Sequence, residues 1–220
     1  VLPAYFNLLL AYGARRIVVL SSTSRFTKPI SCDMNEQKIA CQLISGEKQV
    51  QSWANAHHID WIILRPTLIY GYGRDKNIAE IARFIQRFNF FPVFGSAQGL
   101  RQPIHAADVA SACISALNTP PASNHCYNLI GGETISYREM VTRIFQALDL
   151  TPRIVTVPLG LFHFVLWGLR WLPRYRHWKV EMAKRMNQDL IFENCDTKRD
   201  LDIFPRPFSL TADDLPSQNG

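Results

Sequence analysis

The sequence predicts an α/β fold built on a parallel sheet. Three observations carry that reading. Two short apolar, β-branched runs, Arg16–Leu20 and residues 61–64, have the length and composition of buried strands. Between them lies a stretch with apolar residues at helical spacing, and strand–helix–strand is the order of a right-handed parallel crossover. The chain is 47% apolar and 19% charged over 220 residues, which suits a globular protein with a full core and excludes disordered or fibrous classes.

The elements follow in order. Val1-Leu-Pro-Ala-Tyr-Phe-Asn-Leu-Leu-Leu10 reads as the middle of an apolar helix that Gly13 caps. Arg16–Leu20 ends in a hydroxyl run, Ser21-Ser-Thr-Ser24. From Asn35 to His58, Ile39, Leu43, Val50, Trp53 and Ala54 predict a helix with Gly46 as its weak point. His57 and His58 sit near its end and lack Cys or carboxylate partners at metal-ligand spacing, so both read as structural and no metal is expected. After Asp75, Ile78, Ile81, Ala82, Ile85 and Phe88 predict another helix, and residues 90–94 a short strand or loop ending at Gly95. Asp108 is expected to cap a helix through Leu117 that Pro120-Pro121 ends. Residues 127–130 read as a strand and Gly131-Gly132 as a turn. Ser136 and Glu139 form a capping-box pattern for a helix through Leu148, and residues 153–157 alternate like a strand.

The formal net charge is +6, and much of the excess is local: Arg170, Arg174, Arg176, Lys179, Lys184 and Arg185 face one acid, Glu181. The stretch before them, residues 159–172, is the most apolar in the chain. It is shorter than the roughly 20 residues a bilayer-spanning helix needs, so it reads as a helix packed on the protein or a partner. A membrane-surface helix over 159–185 is the alternative, given its Trp residues and basic flank. No nucleic-acid partner is expected. Five cysteines, scattered and without a C-x-x-C pair, suit free thiols in a reducing compartment. With no secretory signal in the first residues, the expected location is cytoplasmic, membrane-peripheral in the alternative reading.

G-x-G-x-x-G after a strand, a P-loop, H-E-x-x-H and G-x-S-x-G are all missing. What the chain carries is an ordered set of segments. They are Val18-Val-Leu-Ser-Ser-Thr23; Leu64-Arg-Pro-Thr-Leu-Ile-Tyr-Gly71; Phe94-Gly95; Arg101-Gln-Pro-Ile-His-Ala-Ala-Asp108; and Tyr127-Asn-Leu-Ile-Gly-Gly-Glu-Thr-Ile-Ser136. Each is weak alone, but the five in this order resemble the extended short-chain dehydrogenase/reductases, the NAD-dependent epimerase/dehydratase family. The resemblance runs over almost the whole chain and over the later two-thirds of the family's usual length.

It implies a Rossmann-type parallel sheet lacking its first strands, with a small C-terminal substrate lobe. Residues 1–72 would be the later part of the NAD(P)-binding domain, 73–126 a substrate-lobe insertion, 127–150 a return to the sheet, 151–210 the substrate lobe and 211–220 a polar tail. It implies NAD or NADP as cofactor, with the phosphate-binding loop upstream of residue 1, so the chain reads as a piece of a longer gene product. In open parallel sheets ligands bind beyond the carboxyl ends of the strands, where Ser21, Ser22, Thr23, Pro66 and Thr67 fall.

In the family, a Tyr acts as base, a Lys four residues later holds the nicotinamide ribose, and a Ser or Thr bonds the reacting oxygen. Thr23 matches the last position, and Lys48 lies roughly where the lysine falls. Thr23 and Lys48 are therefore the expected catalytic residues. Ser21, Ser22, Lys48, Pro66 and Thr67 are the expected cofactor contacts, with Thr23 and Arg101 on the substrate side, Arg101 to grip a nucleotide's phosphates. The expectation is one cleft lined by Thr23, Lys48, Pro66 and Thr67. The tyrosine departs from the pattern: none lies between Tyr12 and Tyr70, and the matches Tyr72–Lys76 and Tyr175–Lys179 are in the wrong places. His105 reads as a packed histidine, and residues 196–208 resemble the family's closing segment.

The expected function is an NAD(P)-dependent oxidoreductase or epimerase-type protein acting on a nucleotide-sugar or similar anionic metabolite, atypical in lacking the tyrosine. The alternative is a non-catalytic NAD(P)-binding sensor or assembly factor. Expected partners are the dinucleotide, a small anionic substrate, a membrane surface through 159–185, and a second copy in a homodimer.

Overall fold

The computed structural model describes residues 2–119, 123–158, 184–193 and 195–216. Residues 159–183, which carry the membrane-surface reading, lie outside the described residues. In chain order the elements are α1 (Phe6–Ala11), β1 (Arg16–Leu20), α2 (Ser24–Thr27), α3 (Met34–Ala56), β2 (Asp60–Pro66), β3 (Ile69–Tyr70), α4 (Ile78–Phe88), β4 (Phe91–Phe94), β5 (Leu100–Arg101), β6 (Ile104–His105), α5 (Ala106–Asn118), β7 (His125–Leu129), β8 (Ile135–Ser136), α6 (Tyr137–Ala147), β9 (Ile154–Val157) and α7 (Cys195–Leu201). They fall into two units: Val1–Ile69, Ile104–Gly132 and Phe192–Arg206 form the first, and Tyr70–Pro103, Glu133–Ile191 and Pro207–Gly220 the second.

The first unit is built on a parallel sheet of order β1-β2-β7. Ile17 lies opposite Trp61, Leu20 opposite Leu64, Ile62 opposite His125 and Pro66 opposite Leu129. β2 is central, and its Ile62, Ile63 and Leu64 have no exposed surface, as a parallel strand covered on both faces requires. Strand alternation sorts the apolar side chains to two faces. Ile62, Leu64, Tyr127 and Leu129 pack with Val109, Ala112 and Ala116 of α5 and with Leu201 and Ile203. Ile17, Trp61 and Ile63 pack with Val50 and Ala54 of α3. Each large side chain so buried contributes about 1.5–3 kcal/mol. Phe6 stacks on Trp53, with ring centroids 4.2 Å apart, which seats α1 on α3.

Capping sets where the helices begin. Asp33 accepts from the amide of Asn35 at 2.9 Å and starts α3. α5 begins at Ala106, capped by His105, whose Nδ1 accepts from the Ala107 amide at 3.1 Å. The expectation that Asp108 caps this helix is therefore corrected. Asp108 stands inside the first turn, and its carboxylate takes both the backbone and the guanidinium of Arg206. At the other end of the sheet, Arg16 donates to Asp60 at 2.9 Å, to Ser123 at 2.6 Å and to the carbonyl of Thr119 at 3.0 Å. The Arg16 guanidinium holds the Asp60 carboxyl below its ordinary pKa.

In the second unit β4 runs parallel to β9, with Phe91 opposite Ile154, and β5 antiparallel to β8, with Leu100 opposite Ser136. Phe84, Ile85, Phe94, Ile144 and Phe145 are buried here, and the Phe84 ring meets Phe91 edge-on at 5.5 Å. Ser136 caps α6 by accepting from the Glu139 amide at 3.1 Å. The Glu139 carboxylate turns to Arg143, so only half of the capping box forms. Residues 186–190 run close against β5: a side chain at Gly99 would lie 2.6 Å from the Gln188 backbone.

The units differ from the expected segment boundaries. α5, expected in the lobe, belongs with the sheet, because Val109, Ala112 and Ala116 face Leu64 and Leu129 in one apolar cluster. Residues 192–206 join it through Leu201 and Ile203. α6, expected to return to the sheet, sits in the second unit. Among the described residues no helix is long and apolar enough to cross a membrane, and no cluster of His, Cys, Asp or Glu could hold a metal ion.

Candidate functional site

The backbone ladder of β1 and β2 continues past the strands. The Ser21 amide donates to the Leu64 carbonyl at 2.7 Å, the Thr23 amide to the Pro66 carbonyl at 3.1 Å, and the Thr67 amide to the Leu129 carbonyl at 2.9 Å. Ser21, Thr23, Pro66 and Thr67 thus meet at one carboxyl edge. The hydroxyls of the run are engaged within the protein. Thr23 is 5% exposed and its hydroxyl donates to the Pro66 carbonyl at 3.2 Å. Ser22 Oγ accepts from the Ser24 amide at 3.1 Å, which turns the chain into α2. Ser21 Oγ donates to Glu47 Oε1 at 2.5 Å.

Glu47 is the residue the sequence reading missed. It lies on the buried side of α3, in line with Ala40, Val50 and Ala54, and its side chain is only 4% exposed. Two guanidiniums close on it. Arg65 donates from Nη2 at 2.6 Å and from Nε at 3.2 Å, and Arg25 of α2 donates from Nη1. The Phe26 ring lies against both, 5.2 Å from the Arg25 guanidinium carbon and 5.4 Å from that of Arg65. Phe192 stands 6.0 Å from Phe26. On the next strand Asn128, the register partner of Arg65, has a buried Oδ1 that makes no hydrogen bond. Cys126, two residues earlier, has its thiol pushed up by burial, which disfavours the thiolate.

Lys48 is not brought to this edge. One residue on from Glu47, it points about 100° around the helix. It is exposed, in an open groove with Phe6, Cys41, Ile44, Ser45 and Trp53. Arg101 is 4% exposed and lies in the second unit. It donates from Nη1 to the carbonyls of Leu100 and Gln188, both at 2.7 Å, and from Nη2 to that of Arg185, and it lies over the Tyr137 ring. Burial lowers its pKa to about 10 and raises that of Tyr137 to about 12.

A nicotinamide dinucleotide fits this edge in part. The parallel strands end together in a run of small polar residues, as a ligand crevice in an open sheet requires. The proton-transfer pair does not fit. The side of α3 that meets the strand ends presents Glu47, which accepts from Ser21, Arg25 and Arg65, and one and two turns earlier come Leu43 and Ile39. None of these offers a phenol or an ammonium.

Among curated proteins the chain is 26% identical to the UDP-glucose 4-epimerase of Vibrio cholerae over 117 residues, 53% of this chain and 36% of that one. It is 32% identical to the mitochondrial NADH dehydrogenase [ubiquinone] 1 alpha subcomplex subunit 9 of Dictyostelium discoideum over 84 residues, 38% of this chain and 23% of that one. The chain therefore spans well under half the length of either relative. Among solved structures, a UDP-glucose 4-epimerase of Thermotoga maritima with UDP-glucose superposes with a TM-score of 0.64 at 16% identity, over 91% of this chain and 61% of that one. That likeness establishes a shared fold. The model of the NAD dependent epimerase/dehydratase family matches residues 6–129, more than half of the chain, and together with the β1-β2-β7 sheet this places the chain in that family.

Proposed function

We propose that the protein is an NAD(P)-dependent oxidoreductase or epimerase-type protein acting on a nucleotide-sugar or similar anionic metabolite, with the dinucleotide at the carboxyl edge of β1 and β2. The observation that carries the reading is the convergence of Ser21, Thr23, Pro66 and Thr67 on that edge. The family's NAD dependence and the UDP-glucose 4-epimerase relative support it. In this reading Ser21, Ser22, Pro66 and Thr67 wall the nicotinamide side, and Thr23, whose hydroxyl oxygen keeps acceptor capacity, faces the reacting oxygen. Lys48 has no part in it, since it stands in the outer groove of α3.

One observation favours a second reading, a non-catalytic NAD(P)-binding protein: Glu47, fully ion-paired, faces the strand ends, and no tyrosine lies on α3. The relative that is a subunit of an NADH dehydrogenase subcomplex supports it as well. The test is calorimetry of the full-length protein with NAD and NADP, alongside cofactor turnover on a panel of nucleotide-sugars. Binding with turnover supports the first reading, and binding without turnover the second. No dinucleotide binding rejects both. A homodimer, and contact of 159–185 with an anionic membrane surface, belong to the same proposal. Sedimentation with and without anionic vesicles reads out each.

A further inference from the structure

The cluster at the strand ends is not charge-balanced. Arg25 and Arg65 bring two positive charges to one carboxylate, and among the described residues neither has a second acidic partner. Their side chains are 20% and 13% exposed, so water reaches this charge poorly. A largely desolvated cation is unfavourable unless an anion compensates it. Arg65 turns Nε and Nη2 fully onto Glu47, whereas Arg25 uses only Nη1. Arg25 Nε is buried and makes no hydrogen bond. The Phe26 ring supports both guanidiniums from one face but accepts nothing in their plane.

We propose that Arg25, backed by Arg65, is the oxyanion-binding residue of this protein, taking a carboxylate or phosphoryl group of the small-molecule ligand on its Nε–Nη2 edge. That edge is planar and matches two oxygens of either group. Phe26, 45% exposed, forms the apolar wall with Phe192. The buried Oδ1 of Asn128 is an acceptor for a hydroxyl or amide of the same ligand. The inference rests on the ligand class proposed above and moves the grip on its anionic group from Arg101, whose donors are bonded to three carbonyls, to Arg25.

The experiment uses the full-length protein and two probes, inorganic pyrophosphate for the phosphoryl source and malonate for the carboxylate source. Calorimetry compares wild type with Arg25→Gln and Arg25→Lys, each checked for native circular dichroism. In parallel, phenylglyoxal labelling of wild type is mapped to the Arg25 peptide with and without probe. We expect at least one probe to bind wild type one-to-one and to weaken about tenfold in Arg25→Gln, a change of about 1.4 kcal/mol. Arg25→Lys, which keeps the charge but not the fork, weakens it as well. The same probe slows labelling of Arg25, a readout that stands even where a variant fails to fold. Neither probe binding, unchanged affinity in Arg25→Gln, or labelling of Arg25 at the same rate with and without probe overturns the proposal. NAD and NADP affinity, measured on the same samples, reports separately on the reading it rests on.

Discussion

Replacing Arg101 separates a structural arginine from a ligand-binding one, and the structure sets the order of two substitutions. The guanidinium makes three hydrogen bonds to carbonyls of residues 100, 185 and 188. Two of those carbonyls keep another donor: Leu100 accepts from the Leu190 amide at 2.9 Å and Arg185 from the Gln188 amide at 3.1 Å. Bonds from a charged donor contribute about 1.5 kcal/mol or more each. Against them stands the cost of burying the charge, visible in the fall of the Arg101 pKa to about 10 from 12.5, on the order of 3 kcal/mol. Arg101→Met removes the bonds and the burial cost together, and the expected net loss is about 1–2 kcal/mol. Arg101→Lys keeps a charge in the same place without a planar fork to span three carbonyls, and the expected loss is larger, about 3 kcal/mol. Hydrogen exchange at the Leu190 amide, which bonds across to Leu100, reads the local stability of this segment. Faster exchange in Lys than in Met, with affinity for the ligands of the proposed reading unchanged in both, is the expected result. A Met variant less stable than the Lys variant would refute the reasoning, and a selective loss of binding of the proposed anionic ligand would return Arg101 to it.

Three further outcomes follow from single positions. Gly132→Ala forces a Cβ to within 2.2 Å of the Pro205 carbonyl oxygen, a backbone atom, so a loss of about 1–3 kcal/mol is expected in urea titration. Gly46→Ala meets nothing within 4 Å in the middle of α3 and should instead stabilise by about 0.5–1 kcal/mol; a loss there would mean that the helix needs the glycine. Asp60 has a folded-state pKa below its ordinary value, so its contribution is present above the unfolded pKa and lost as pH falls through the folded one. The urea midpoint of Asp60→Asn should therefore fall less than that of wild type as the solution is acidified below about pH 4, and parallel curves would contradict the assignment.

The sheet was legible because buried parallel strands are written as continuous apolar runs. Residues 61–64 and Arg16–Leu20 read as strands from composition alone, and their pairing follows from the helix between them. The division into units was not legible. Whether α5 lies on the sheet or in a lobe depends on which cluster receives Val109 and Ala112, a long-range contact that its own periodicity does not encode. The cap of the same helix was misplaced for a local reason. Asp is the commoner cap, but a cap must precede the first helical residue, and His105 occupies that place while Asp108 is drawn off by Arg206.

The strand-end residues of the candidate site were legible because topology places ligands there whatever the chemistry. The helix side was not, and the comparison of Lys48 with Glu47 says why. Lys48 was chosen by distance along the chain, yet one residue on a helix is about 100° of rotation, enough to move a side chain from the buried side to the outer groove. A signal for Glu47 did exist. It is a carboxylate in register with Ala40, Val50 and Ala54, and an acid within an apolar stripe is almost never buried without a cation. The cations were also in view, Arg25 directly after the hydroxyl run and Arg65 at the end of β2. What the sequence could not supply is that the two are brought to the same carboxylate, because Arg25 reaches it only through the turn that Ser22 and Ser24 make into α2. The same turn leaves Arg25 with one edge of its guanidinium unbonded while Arg65 is fully engaged. At this edge α3 therefore presents a carboxylate held by two arginines, and in the reading proposed above the unbonded edge of Arg25 is what meets the ligand.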